Sequence, residues 1–207
     1  MASSSSPQRS IDPKLGTSPS ERLYADGRPI PKGGGNYKLG SPYRIGGLWY
    51  VPKDEPNYDR TGVASWYGAD FHGRKTANGE IFDMNALTAA HPTLPIPSLI
   101  YVTNVDNGRT VLVRVNDRGP YAHGRVLDMS RRVAQVLGSE GKGLANVRVR
   151  YAGRAPLNGD DRAEMAFLAQ QPWSRMAATT TESGARPAQR WGGRMGLGGG
   201  AGVTGAP

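Results

Sequence analysis

The sequence predicts a small, mainly β domain that closes as a barrel, with one or two short helices and weakly structured segments on both sides. Three observations carry this. Short runs of alternating β-branched and polar residues recur between Gly62 and Tyr151. One segment among them has a full set of helix start and stop signals. Outside this region glycine and proline dominate, and the 207 residues include 29 glycines and 16 prolines.

Taken in order, residues 1–35 are rich in Ser, Pro and Gly and read as a flexible tether. Residues 36–60 carry Tyr37, Tyr43, Trp49, Tyr50 and Tyr58 among Pro and Gly, which predicts an irregular arm packed on the domain. The domain itself is expected over 61–152. "GVASWYG" is its first strand, and "DMNALTAA" reads as a short helical turn. "SLIYVTNVDNGRTVLVRVND" predicts two strands joined at Asp106-Asn107-Gly108, a hairpin turn signal. "GRVLDMS" and "NVRVRYA" add further strands. Between them Ser130 is placed to cap the helix "RRVAQVL", and Gly138 to end it. Within 153–207, "DDRAEMAFLAQQP" predicts a helix begun by Asp160, followed by a Gly-rich disordered tail from Gly184.

Composition excludes several classes. The formal net charge is +9, but it is spread along the chain, unlike the clustered footprint of a nucleic-acid binder. It suits weak attraction to a polyanion such as cell wall or anionic lipid. Without cysteine there is no disulfide and no thiolate metal site. His72, His91 and His123 match no short metal-binding spacing, so neither a metal nor another cofactor is expected. No apolar run approaches the roughly 18 residues of a membrane span. "MASSSSPQRS" has no apolar signal-peptide core, which leaves a cytoplasmic protein or a mature form with a replacement Met.

Two carboxylates stand out. Asp117 ends the strand "VRVND", with apolar residues before it and Tyr121 after it. Such an Asp can be desolvated and hold its proton near neutral pH, although Arg118 beside it pulls the other way. Glu80 follows the turn Asn78-Gly79. Cleaving a glycosidic bond needs an acid to protonate the leaving oxygen, often with a second carboxylate as partner. The competing readings are an Asp bonded to its own turn and a solvated Glu. Ser65, Thr76, Asn78 and Asn116 are side chains suited to binding hydroxyls. Trp66 and Tyr67 point to opposite faces of one strand, and one of them could stack on a sugar ring. His72 and Arg74 lie in the polar loop "DFHGRKT", and Arg118 and Tyr121 flank Asp117. Asp83, Asp106, Asp128 and Glu140 read as structural.

The stretches "GVASWYGADFHGRKTANGEIFDMNALTAAHPTLP" and "VTNVDNGRTVLVRVNDRGPYAHGRVLDMSRRVAQVLG" closely resemble the rare lipoprotein A family of peptidoglycan lytic transglycosylases. The upstream "YKLGSPYRIGGLWYVP" is similar to that family's arm. The resemblance implies a six-stranded double-psi β-barrel and a lyase acting on peptide-stripped glycan strands. It would cleave the β-1,4 bond between N-acetylmuramic acid and N-acetylglucosamine and leave 1,6-anhydro ends, in wall remodelling and daughter-cell separation. By position, the family's essential acid falls on Asp117, its glutamate on Glu80 and its histidine on His91, which implies three catalytic residues: Asp117 as general acid, with Glu80 and His91 holding its protonation state or deprotonating the C6 hydroxyl. The implied location is the periplasm, as an outer-membrane lipoprotein whose lipidated cysteine is not in this sequence. Implied partners are glycan strands and septal or cell-wall proteins, with no nucleic acid. The family's glycan-binding repeat domain is not recognisable in the Gly-rich tail. A glycoside hydrolase using Asp117 and Glu80, or an expansin-like module that binds without turnover, are the competing readings.

Overall fold

The computed structural model describes residues 20–24 and 27–174. Ahead of the barrel, β1 (Tyr43–Ile45) and β2 (Leu48–Tyr50) pair antiparallel as a small hairpin. Six strands then close on themselves: β3 (Asp59–Tyr67), β4 (Thr88–Ala90), β5 (Ser98–Asn104), β6 (Thr110–Asp117), β7 (Arg125–Ser130) and β8 (Leu144–Arg154). Their order around the barrel is β3-β7-β4-β6-β5-β8. The β3–β7 and β4–β6 pairs are parallel and the others antiparallel, which interlocks strands distant in sequence as in a double-psi barrel.

Alternation builds the core. Val111, Val113 and Val115 of β6 are fully buried together with Ile100 and Val102 of β5 and Val147 and Val149 of β8. β5 and β6 form the expected hairpin, with Thr103 opposite Thr110. Its turn contains Gly108 at φ +73°, a conformation that glycine adopts without a Cβ penalty. The same turn caps a helix. The side-chain amides of Asn104 and Asn107 donate to the Leu137 carbonyl at 3.0 and 2.9 Å. That helix, α1 (Arg131–Val136), begins where Ser130 Oγ accepts the Val133 N–H at 3.2 Å, and the chain leaves it at Gly138. α2 (Arg162–Gln170) lies against β6, and the Asp160 carboxylate accepts the Arg162 N–H at 3.1 Å at its start.

Two expectations are corrected. "DMNALTAA" is not helical. Asp83 Oδ1 accepts the Asn85 N–H at 2.9 Å and makes a local turn, after which β4 runs between β6 and β7. Pairing on both sides, with Thr88, Ala89 and Ala90 all buried, overrides the helical preference of Ala and Leu. The tether expected over 1–35 is also not free of the barrel where it is described. Leu23 and Tyr24 donate backbone N–H groups to the Gly73 carbonyl. At Gly33 an added Cβ would come within 2.6 Å of the Asn158 backbone, so only glycine lets the chain pass there. Residues 1–19, 25, 26 and the tail 175–207 lie outside the described residues. No described helix is long and apolar enough to cross a membrane.

Candidate active site

β6 delivers Asp117 to the rim of an open cavity lined also by Tyr67, Phe71, Tyr121, Arg125 and Asp128. Asp117 Oδ1 accepts the backbone N–H groups of Ala77 and Arg118, each at 2.8 Å. Both bonds fall on one oxygen, which leaves Oδ2 to carry a proton. Burial pushes the Asp117 carboxyl up to about 6, against those two N–H groups and the Arg118 charge, and the Asp128 charge adds to the rise. The Arg118 guanidinium itself is turned away. It donates to the carbonyls of His91, Leu94 and Leu39 at 3.2, 2.5 and 2.6 Å.

Asp128 faces the same cavity from β7. Its Oδ1 accepts Ser65 Oγ at 2.5 Å, Arg125 Nη1 donates to Ser65 Oγ at 2.6 Å, and Arg125 Nη2 stands 3.6 Å from Oδ2. Burial raises the Asp128 carboxyl, opposed by Ser65 and Arg125. Ala90 of β4 has Asp117 as its partner on one side and Asp128 on the other. The two Cα atoms are therefore two strand spacings apart, about 10 Å. The Tyr67 hydroxyl and Arg125 Nε, both on residues lining this cavity, are buried without a hydrogen-bond partner among the described residues.

Glu80 is elsewhere. It is buried and takes Arg114 Nη2 at 2.5 Å, Arg114 Nε at 3.1 Å, Asn116 Nδ2 at 2.9 Å and Asn78 Nδ2 at 3.0 Å. Burial alone would push its carboxyl up, but the bonds from Arg114, Asn116 and Asn78 outweigh it and hold Glu80 below its ordinary value. This network fixes the 76–80 loop: Thr76 Oγ1 donates to Asn78 Oδ1 at 2.8 Å, and Ala77 presents its N–H to Asp117. His91 is also buried. Its Nδ1 accepts the N–H groups of Thr93 and Leu94 at 3.1 and 3.0 Å, which puts the proton on Nε2 for the Tyr58 hydroxyl at 2.9 Å. Burial, then the Arg118 charge, push His91 down to about 3, so it stays neutral. Neither Glu80 nor His91 lines the Asp117 cavity.

The other candidates divide. Tyr67, Arg118 and Tyr121 line the cavity with Asp117, and Ser65 touches it through Asp128. Trp66 faces away and donates its indole N–H to the Glu140 carbonyl at 3.2 Å. His72 is buried and accepts the Met84 N–H at 3.3 Å, while Arg74 donates to the carbonyls of Asp70 and Ser20. Thr76, Asn78 and Asn116 belong to the Glu80 network. Among the described residues no three His, Asp or Glu side chains converge to hold a metal ion.

The profile of a family described as lytic transglycolase matches residues 59–149, the span of the barrel. Over the barrel the chain is similar to curated members of the rare lipoprotein A family. An endolytic peptidoglycan transglycosylase RlpA of Rickettsia bellii is 49% identical over 120 residues, covering 56% of this chain and 53% of the relative. One of Neisseria meningitidis serogroup A is 54% identical over 108 residues, covering 52% and 45%. One of Pseudomonas aeruginosa is 48% identical over 125 residues, covering 60% and 36%. The chain thus spans about half the length of the first of these relatives and less of the others.

In the barrel of this chain, sequence reasoning missed Asp128, Arg125 and Arg114. For Arg114 a signal was present. Arg114 and Asn116 alternate with Val113 and Val115 on a strand that reads as core, and a buried arginine on such a strand needs an anion. Asp128 carried a weaker signal as a carboxylate inside the apolar run "VLDM".

Proposed function

We propose that this protein is an endolytic peptidoglycan lytic transglycosylase with Asp117 as its general acid. It cleaves the β-1,4 bond between N-acetylmuramic acid and N-acetylglucosamine in peptide-stripped glycan strands and leaves 1,6-anhydro ends. The observation that carries this is the Asp117 carboxyl, desolvated and poised to hold a proton on Oδ2 at the rim of an open cavity edged by Tyr67 and Tyr121. The names of the relatives point to the same substrate and reaction.

In the reaction, Asp117 Oδ2 gives its proton to the leaving glycosidic oxygen as the bond to C1 breaks. The C6 hydroxyl oxygen of the same muramyl residue bonds to C1, and its proton passes to a base. The nucleophile is already part of the substrate, so no water need be activated and proximity lowers the barrier. Glu80 and His91 act as positioning residues. Glu80 holds the loop whose Ala77 N–H fixes Asp117 Oδ1. His91 donates its backbone N–H to the Asp117 carbonyl at 3.1 Å and orders the 91–94 turn. The substrate lies outside the cytoplasmic membrane. A periplasmic site of action, an outer-membrane lipid anchor, and septal or cell-wall protein partners go with this reading.

The test is mass spectrometry of products from amidase-treated peptidoglycan, with Asp117→Asn in parallel. Anhydro-ended fragments from the unaltered protein and none from the variant are expected. Reducing ends would make the protein a hydrolase, and no new ends would make it a binding module.

A further inference from the structure

We propose that Asp128 is the base of this site, forming with Asp117 a two-carboxylate pair across Ala90 and taking the C6 hydroxyl proton while Asp117 protonates the leaving oxygen. This rests on the lytic transglycosylase reading above. The atoms balance without water: the C6 oxygen bonds to C1, the C1 bond to the glycosidic oxygen breaks, and one proton moves from C6 to Asp128 as another leaves Asp117. A proton returned through the open cavity resets the pair.

Geometry separates the two roles. β4 puts Asp117 and Asp128 on either side of Ala90, whose methyl leaves the space between them unfilled. Gly119, at φ +132°, crosses that space as bare backbone. A Cβ there would touch both the Ala90 methyl at 3.8 Å and Asp128 Oδ2 at 3.9 Å. A hydroxyl donor can therefore approach Asp128 where a side chain would otherwise stand.

The charged and titratable groups facing Asp128 are Tyr67 of β3, Asp117, Arg118 and Tyr121 of the β6–β7 segment, and Arg125 of β7 itself. Ser65 donates to Asp128 and Arg125 stands beside it, whereas Arg118 is held by three backbone carbonyls away from Asp117. Asp128 is thus the member favoured as the anion, and its charge keeps the proton on Asp117. The Tyr67 hydroxyl and Arg125 Nε, buried and without a partner among the described residues, are on the same wall and offer donors to a bound sugar.

Asp128 also ties β3 to β7 through Ser65, so a purely structural role must be told apart. The experiment combines turnover on peptide-stripped glycan with carboxyl carbon NMR titration of the whole protein. In Asp128→Asn, anhydro-end formation is expected to fall at least about 100-fold, and the Asp117 midpoint to move to lower pH because the neighbouring charge is gone. Wild-type rates, or an unmoved Asp117 midpoint, would overturn the pair. Should Asp128→Asn fail to fold, Asp117→Asn decides: Asp117 is already neutral where Asp128 titrates, so the Asp128 midpoint must stay where it is in the unaltered protein, and a fall, which would make Asp117 the anion of the pair, rejects the proposal. Reducing ends from the unaltered protein would overturn the C6 role together with the parent reading. The titrations distinguish that outcome from failure of the pair alone.

Discussion

Two carboxylates two strands apart and a single carboxylate in a salt-bridged knot make an instructive contrast. Asn116 and Asp117 are consecutive on β6, yet Asn116 turns into the Glu80 network and Asp117 into the open cavity. Around Glu80 the side chains of Arg114, Asn116 and Asn78 all donate to the carboxylate, and its proton affinity is held down. Around Asp117 the donors are two backbone N–H groups, the nearest guanidinium is occupied elsewhere, and burial wins. Desolvation acts on both. What decides is whether an arginine is aimed at the carboxylate, and that separates a carboxylate that builds a loop from one able to give a proton.

The sharpest way to break this contrast is to neutralise each carboxylate in turn. Asp117→Asn is expected to lower anhydro-end formation by about 10²–10⁴-fold while the protein still folds, with product yield and circular dichroism as the measurements. Glu80→Gln should do the reverse. It strands the buried Arg114 charge, so unfolding in urea should show a loss of about 3–5 kcal/mol. Turnover by the folded fraction should keep its pH profile. If Glu80→Gln instead abolishes turnover at unchanged stability, Glu80 moves a proton and the contrast fails.

pH separates the regions further. A general acid must be protonated, so turnover should decline as pH rises through about 6, the value set for Asp117. The same raised value makes Asp117 favour the folded state at low pH, a contribution lost as pH rises from its ordinary 3.8 through about 6. His91 works in the opposite sense. Its folded value of about 3 lies below the ordinary 6.5, so its stabilising contribution is full above 6.5 and is lost as pH falls toward 3. Between pH 3 and 6.5 melting temperatures should therefore climb less steeply with pH in His91→Gln, and more steeply in Asp117→Asn, than in the unaltered protein. A His91→Gln curve parallel to that of the unaltered protein would show that His91 protonates in the native state.

How much of this was legible in the sequence depended on one short strand. The hairpin of β5 and β6, the cap at Ser130 and the stop at Gly138 follow from local chemistry, and they placed Asp117 at a strand end correctly. β4 did not follow. Thr88, Ala89 and Ala90 carry no strand signal of their own and are extended only because β6 and β7 pair with them. Read as a helical turn, β4 leaves Asp117 and Asp128 unrelated, and Asp128 then looks like a residue near a helix cap. The Glu80 knot was hidden for a similar reason. Its partner Arg114 is 34 residues away, and only barrel closure brings them together.

The smallest effect expected concerns the arm. Tyr43 and Tyr50 stack at 5.2 Å, and both meet Tyr121 edge-on, at 6.1 and 5.5 Å. The Tyr43 hydroxyl donates to the Pro92 carbonyl at 2.7 Å, beside the turn that His91 orders. The hairpin thus braces one wall of the cavity without contributing a reacting group. An aromatic pair of this kind is worth about 0.5–1.5 kcal/mol. Tyr50→Ala should therefore raise KM for glycan by roughly 2–10-fold and leave kcat and the decline near pH 6 unchanged. A fall in kcat with KM constant would mean that the arm positions Asp117 itself, and the wall and the acid would then have to be treated as one unit.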